Sequence, residues 1–162
     1  MRLNNVHERR LPVGELPAGS LIDGLAGDDD QLWPHDRWPP MRFDGGLHVG
    51  NEGGHGPVRY QVLEHQPGRL ARFRFTGPPG LVGEHRYELQ EREGMTTLRH
   101  VLTGHTEGRM LWQWPLIFRP LHDALIEDSL DHAEAALSQA PYRPARWSTH
   151  ARTLRWLLAG LI

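Results

Sequence analysis

Apolar and polar positions alternate with period two through the middle of the chain. The clearest stretch is Leu70–Gly77, where Ala71, Phe73 and Phe75 face one way and Arg72 and Arg74 the other. The same pattern puts His85, Tyr87 and Leu89 on one face of the next segment, against Val82, Glu84, Arg86 and Glu88 on its other face. Leu98, His100 and Leu102 then share a face. Strands are predicted at about 46–50, 57–66, 69–77, 82–92 and 95–106, with an opening strand over 3–11 and a short one at Met41–Phe43. The breaks are turn-like: the glycine-rich run 50–57, Pro67-Gly68, Gly77–Gly80 and Gly94. A turn centred on Glu93-Gly94 sets Tyr87 opposite His100, and a one-residue slip would reverse every face.

Between the first strand and this meander the pattern changes. A short helix is predicted around Ser20–Leu25, and a second starts at DDDQLW with Asp28 as its N-cap. The proline-rich run 33–41 is a rigid connector. From about Leu116 to Gln139 the period becomes 3.6. Phe118, Leu121, Leu125, Ile126, Leu130, Ala133, Ala136 and Leu137 form a stripe, His122 and Ser129 fall near its middle, and Asp123, Glu127, Asp131 and Glu134 lie opposite. Pro120 would kink a helix begun at Met110, so the regular helix is placed from about Pro115 or Pro120, with Met110–Trp114 as an apolar approach segment.

Composition narrows the chemistry. The 162 residues suit one main domain, taken as 1–140, followed by a linker and basic amphipathic helix over 141–162. There is no cysteine, which excludes disulfides, thiolate nucleophiles and cysteine metal sites. All 18 basic residues are arginine, which excludes Schiff-base catalysis and a phosphate-binding P-loop lysine. Residues 1–140 carry 14 arginines against 20 acids, a balance of −6, so no nucleic-acid surface is expected there. The tail has four arginines, no acid, and Trp147, Ala151, Leu154, Leu158 and Leu161 at helical spacing behind a Ser148 or Thr149 cap. Three destinations fit it: its own domain, a second subunit as in a homodimer, or an anionic membrane surface. With no signal peptide and no long apolar run, a cytoplasmic protein is expected.

The element order, together with Gly50–Pro57 (GNEGGHGP) and Arg119–Asp128 (RPLHDALIED), resembles the SRPBCC superfamily, which includes START-like lipid-transfer domains, polyketide cyclases and birch-pollen-allergen-like proteins. The first stretch is similar to the glycine-rich loop of the plant members, and the second to the opening of the final helix in bacterial members. The resemblance covers roughly residues 2–139. It implies an α+β helix-grip fold: a curved antiparallel sheet of six or seven strands wrapped around a long C-terminal helix, two short helices after strand 1, and a cavity between sheet and helix. No catalytic signature of the cyclases maps onto this chain, so the resemblance implies a cavity and not a reaction.

On this frame the ligand walls are expected from Phe73, Phe75, Leu89, Leu98, Leu102, Phe118, Leu121 and Leu125. The polar groups are expected from Tyr87, His100 and His122, with Tyr60, His85 and Ser129 alongside, and Gly53, Gly54, His55 and Gly56 form an entrance loop. These side chains could satisfy one another in a polar core, contact a ligand, or act as acid and base, with His100 or His122 as the base. Eleven histidines invite a metal, but there is no HExxH and no helical pair four apart, so neither metal nor cofactor is expected. The function expected is binding of a small, largely apolar molecule. A cyclase or dehydratase and a filled-core interaction module are the alternatives, the last made plausible by six tryptophans, since a bulky core leaves little room.

Overall fold

The computed structural model describes residues 1–138 and 144–158. Strand β1 (Arg2–Leu11) is followed by helix α1 (Glu15–Asp23), then β2 (Arg42–Phe43), β3 (Glu52–His55), β4 (Val58–Gln66), β5 (Leu70–Gly77), β6 (Leu81–Arg92) and β7 (Met95–Thr106). A long helical stretch closes the main body. It consists of α2 (Met110–Gln113), a π-helical turn (Trp114–Phe118) and α3 (Arg119–Ser138), and α4 (Thr149–Leu157) comes after it. The seven strands form one antiparallel sheet in the order β1-β7-β6-β5-β4-β3-β2. The expected helix-grip architecture is the one observed.

Turn chemistry fixes the register. Glu93 and Gly94 both take positive φ (54° and 74°), the two-residue turn whose twist matches a hairpin. It pairs Arg92 with Met95 and therefore Tyr87 with His100. Ala71, Phe73, Tyr87, Leu89 and Leu98 point inward and are buried against Leu125, Leu130 and Ala133 of α3 and Leu21 and Ile22 of α1, while Leu102 is buried in a second cluster with Leu81, Met110 and Trp114. Each such Leu or Phe contributes about 1.5–3 kcal/mol.

Three expectations need correction. First, one short helix, not two, follows β1 among the described residues. The Asp30 carboxylate accepts from the N–H groups of Ala26, Leu32 and Trp33 at 2.7–2.8 Å, which ties the backbone into turns and leaves no free donors for a helical ladder. Secondly, residues 46–50 are not a strand, and the glycine-rich run holds one instead: β3 pairs Gly53 with Tyr60 and Gly54 with Arg59. A Cβ on Gly53 would collide with the Arg42 carbonyl and one on Gly54 with the Val58 carbonyl, so these glycines allow close backbone approach. Thirdly, the helix begins at Met110. The π-helical turn accommodates Pro115 and Pro120, with Arg119 N–H reaching the carbonyl of Trp114 five residues back.

The acidic side of α3, opposite the apolar stripe, is itself partnered. Asn5, His7 and Arg9 of β1 reach across to it. Arg9 Nη1 donates to Asp131 and Glu134 at 2.6 Å, and Nη2 donates to Glu127 at 3.2 Å. The connector 33–41 is also core. Trp33, Trp38 and Met41 are buried, and Trp33 Nε1 donates to the carbonyl of Pro39 at 2.9 Å.

Helix α4 packs on its own chain. Ser148 caps it through the N–H of Ala151, as expected from the sequence, and Ala151 is buried. Trp147 Nε1 donates to Asp128 at 2.9 Å, with its ring 5.1 Å from that of Trp38, and Ala145 N–H donates to Asp131 at 2.6 Å. The expected helix position of Leu161 lies outside the described residues. No helix among those described is long and apolar enough to cross a membrane.

Candidate functional site

A cavity of about 360 Å³ lies between the sheet and the long helix. The π-helical turn and α3 supply Trp114, Ile117, Phe118, Leu121, His122 and Leu125. The sheet supplies His55, Val58, Tyr60, Phe75, Leu81 and Leu102, and Trp38, Pro39, Pro57, Gln113 and Leu158 complete the wall. Leu158, the C-cap of α4, brings the tail to the rim of the cavity.

Of the residues singled out in the sequence, Tyr60, Phe75, Leu102, Phe118, Leu121, His122, Leu125 and His55 line this space. Phe73, His85, Tyr87, Leu89, Leu98, His100 and Ser129 lie outside its lining, in the packed core. Tyr87 and Ser129 are engaged with each other. Ser129 Oγ donates its single proton to the carbonyl of Leu32 at 2.9 Å, so the Tyr87 hydroxyl must donate to Ser129 Oγ, also at 2.9 Å. His85 Nδ1 and His100 Nε2 are 3.1 Å apart and share one proton-bearing hydrogen bond. The His85 ring sits 4.5 Å from Tyr60 and 5.1 Å from both Phe73 and Phe75. It therefore backs the aromatic wall. Gly53, Gly54 and Gly56 border a separate surface groove, and His55 is the member of the entrance loop that reaches the cavity.

Burial sets the charge state of these groups. It pushes His55 down to about 3, with the charges of His122 and Arg59 acting in the same direction. It also holds His85 and His100 well below the usual imidazole range, and lowers His122 against the pull of the Asp123 carboxylate. Burial raises Tyr60 and Tyr87, the latter against its bond to Ser129. The polar groups on the cavity wall are therefore neutral at pH 7: imidazoles that can donate or accept one hydrogen bond, and a phenol that keeps its proton.

Behind the wall, His122 approaches a second cluster. His122 Nδ1 lies 3.6 Å from Asp123 Oδ1, beyond hydrogen-bonding distance, and has no hydrogen-bond partner. His7 Nε2 lies 3.2 Å from the same oxygen, and His7 Nδ1 lies 2.7 Å from Glu127 Oε1. Burial works against a charge on His7, but these two carboxylates outweigh it and raise its pKa. Asp123 is lowered: burial opposes its charge, and the nearby His122 imidazole together with the bonds from His7 and Asn5 overrides it.

The sequence reading missed Trp38, Pro39, Pro57, Val58, Leu81, Gln113, Trp114, Ile117 and Leu158 on the wall. Met110, Trp114, Ile117 and Leu121 recur at spacings of three and four, the signal that a helix begun at Met110 would have revealed. It also missed Asp128, which is fully buried and accepts from Arg37 Nη1 (2.6 Å), Trp38 Nε1 (2.8 Å) and Trp147 Nε1 (2.9 Å). Burial raises its pKa against those donors.

No protein-family model matches the chain, and no curated protein matches it in sequence. Solved structures do. CalU16 from Micromonospora echinospora superposes with a TM-score of 0.60 at 15% identity, covering 96% of this chain and 83% of that one. Norcoclaurine synthase from Thalictrum flavum gives 0.60 at 13% identity over 86% and 97% of the two chains. Ara h 8.0201 gives 0.57 at 15% identity over 86% and 100%. Likeness at these identities speaks to architecture: the chain shares the helix-grip fold of these proteins.

Proposed function

We propose that the protein binds a small, largely apolar molecule, lipid-like, aromatic or polyketide-like, in the cavity between sheet and α3. One observation carries this reading: a cavity of about 360 Å³ walled by aromatic and aliphatic side chains, with the neutral groups His55, Tyr60 and His122 as its polar contacts. Ligand sites commonly have about this size and character, roughly 300–1,000 Å³ of mostly apolar wall with a few placed polar groups. A charged ligand group would find no ionised partner on that wall. A carbonyl, hydroxyl or phenol would find imidazole or phenol hydrogen bonds. Norcoclaurine synthase, by its name, makes a small organic compound, and a shared fold supports a small-molecule reading here without specifying the molecule.

Native mass spectrometry of the purified protein, followed by denaturing extraction, is the test. One apolar small molecule per chain, lost in a Leu102→Trp variant that fills the cavity, is the expected result. A saturable apolar probe that binds wild type and Leu102→Trp equally would overturn the reading, because it would be bound elsewhere.

The enzymatic alternative, a cyclase or dehydratase, narrows to His122 as the base. His122 lines the cavity and is held neutral by burial, whereas His100 lies outside the lining. A rate loss of about tenfold or more in His122→Ala, with ligand binding retained, would favour chemistry over simple binding.

A further inference from the structure

We propose that His7, His122 and Asp123 bind one divalent transition-metal ion, with zinc best suited, between β1 and α3. Each of the three offers one ligand atom, a ring nitrogen of His7, a ring nitrogen of His122 and a carboxylate oxygen of Asp123, within 4.8 Å of one another. Nε2 of His7 and Nδ1 of His122 are the nitrogens turned toward Asp123. Two of the separations are 3.2 Å (His7 to Asp123) and 3.6 Å (His122 to Asp123). Ligand atoms about 2.0–2.1 Å from a tetrahedral ion stand about 3.3–3.4 Å apart, so both edges bracket the required spacing.

An ion pair between His7 and its two carboxylates accounts for His7 alone. It leaves His122 Nδ1 buried, aimed at the same oxygen, too far for a hydrogen bond and without another partner. A cation at the centre of the three donors satisfies all of them. The surroundings match what a metal-ligating histidine requires. Glu127 Oε1, 2.7 Å from His7 Nδ1, fixes the proton on that nitrogen and so exposes the lone pair of Nε2. Glu127 is itself held by Arg9 at 3.2 Å, and Asn5 Nδ2 donates to Asp123 Oδ1 at 2.9 Å.

Asp123 is partly exposed, which gives the ion a route from solvent, and three protein donors leave a position for water. Among the described residues the competing cation is weakly placed: Arg119 Nε is 3.7 Å from the other Asp123 oxygen and is itself largely exposed. A motif search based on histidines four apart does not find this set. Two donors are adjacent on α3, and the third comes from a strand 116 positions away from Asp123. Metal on Nδ1 would leave the His122 proton on Nε2, so His122 would offer the cavity a donor and not a base.

The full-length chain is titrated with Zn²⁺ against a chromophoric chelator, and with Co²⁺ to read coordination from its visible absorption. The expected result is one Zn²⁺ per chain and an intense tetrahedral Co²⁺ spectrum. His7→Ala and Asp123→Asn should each weaken binding by more than the roughly 10–100-fold expected when Glu127→Gln removes the orienting partner. His48→Ala and His105→Ala, exposed histidines remote from the cluster in sequence, should change nothing. Absence of stoichiometric binding overturns the proposal, as does binding that survives both His7→Ala and Asp123→Asn. If those variants do not fold, the wild-type Co²⁺ spectrum decides, and a weak octahedral spectrum overturns the proposal by itself.

Discussion

The Tyr87–Ser129–Leu32 chain makes an unusually sharp prediction because the direction of each proton is forced. Leu32 contributes a carbonyl, which only accepts, so Ser129 spends its one proton there and Tyr87 must donate to Ser129. Tyr87→Phe removes a donor and leaves Ser129 satisfied through Leu32, so it should cost about 1 kcal/mol, the net worth of one neutral hydrogen bond. Ser129→Ala strands two groups, the Tyr87 hydroxyl and the Leu32 carbonyl. At about 1–3 kcal/mol for each buried unpaired group it should cost about 2–6 kcal/mol. Both side chains are fully buried, and a void of one oxygen atom is too small to admit a rescuing water. The sign of the coupling follows. In the Ser129→Ala background, Tyr87→Phe removes an unpaired hydroxyl and should restore about 1–2 kcal/mol. Equilibrium urea unfolding of the wild type, both single variants and the double variant, compared at constant m-value, measures all four terms. If Tyr87→Phe destabilises both backgrounds equally, the donor assignment is wrong. Because neither residue lines the cavity, neither substitution should change affinity for a cavity ligand by more than about twofold, a shift within the error of additivity for independent sites.

Asp128→Ala should cost about 3–5 kcal/mol in urea unfolding, since it abandons Arg37 and two indole N–H groups around a buried site. It should also speed proteolysis within 144–158, which Trp147 anchors through that carboxylate. His55 is neutral when folded down to about pH 3 but binds a proton near pH 6.5 when unfolded, so its contribution to stability falls as pH drops between those values. The slope is roughly 1.4 kcal/mol per pH unit for one proton, and His55→Leu should flatten the acid limb of the stability profile by that amount. Deleting 144–162 should lower stability and weaken ligand binding by removing Leu158 from the cavity wall, with no change of oligomeric state by sedimentation. Loss of a dimer on deletion would instead assign the tail to a partner.

The legible parts of the chain are those where side chains, and not backbone or distant partners, carry the pattern. Period-two alternation through Ala71–Phe75, His85–Leu89 and Leu98–Leu102 placed β5, β6 and β7, and Glu93-Gly94 fixed their register to the residue. Strand β3 was illegible for a matching reason: its central residues are Gly53 and Gly54, which have no side chain to alternate, and their role is to admit neighbouring carbonyls. The helix start was misplaced because the rule against interior proline assumes an α-helical ladder, and one π-helical turn suspends it.

The candidate site shows the same limit more sharply. Helical phase correctly put His122 and Ser129 toward the sheet, and strand phase put Tyr87, His85 and His100 toward the helix. Phase gives direction, however, and not depth. Near the long helix's N-terminal end the π-helical turn, Trp38, the β3–β4 hairpin and Leu158 surround a cavity, and there inward polar groups such as His122 and Tyr60 reach its wall. Farther along α3 the connector 33–41 fills the space, Leu32 lends its carbonyl, and the inward groups Tyr87 and Ser129 close on each other. The acids of α3 follow the same logic from the other flank: Asp123 and Glu127 gain their chemistry from His7, a partner no local pattern could supply. Which inward polar residue is a contact and which is core is therefore decided by segments distant in sequence. The predicted contrast between His122→Ala, which should weaken cavity binding, and Ser129→Ala, which should weaken only stability, tests that division directly.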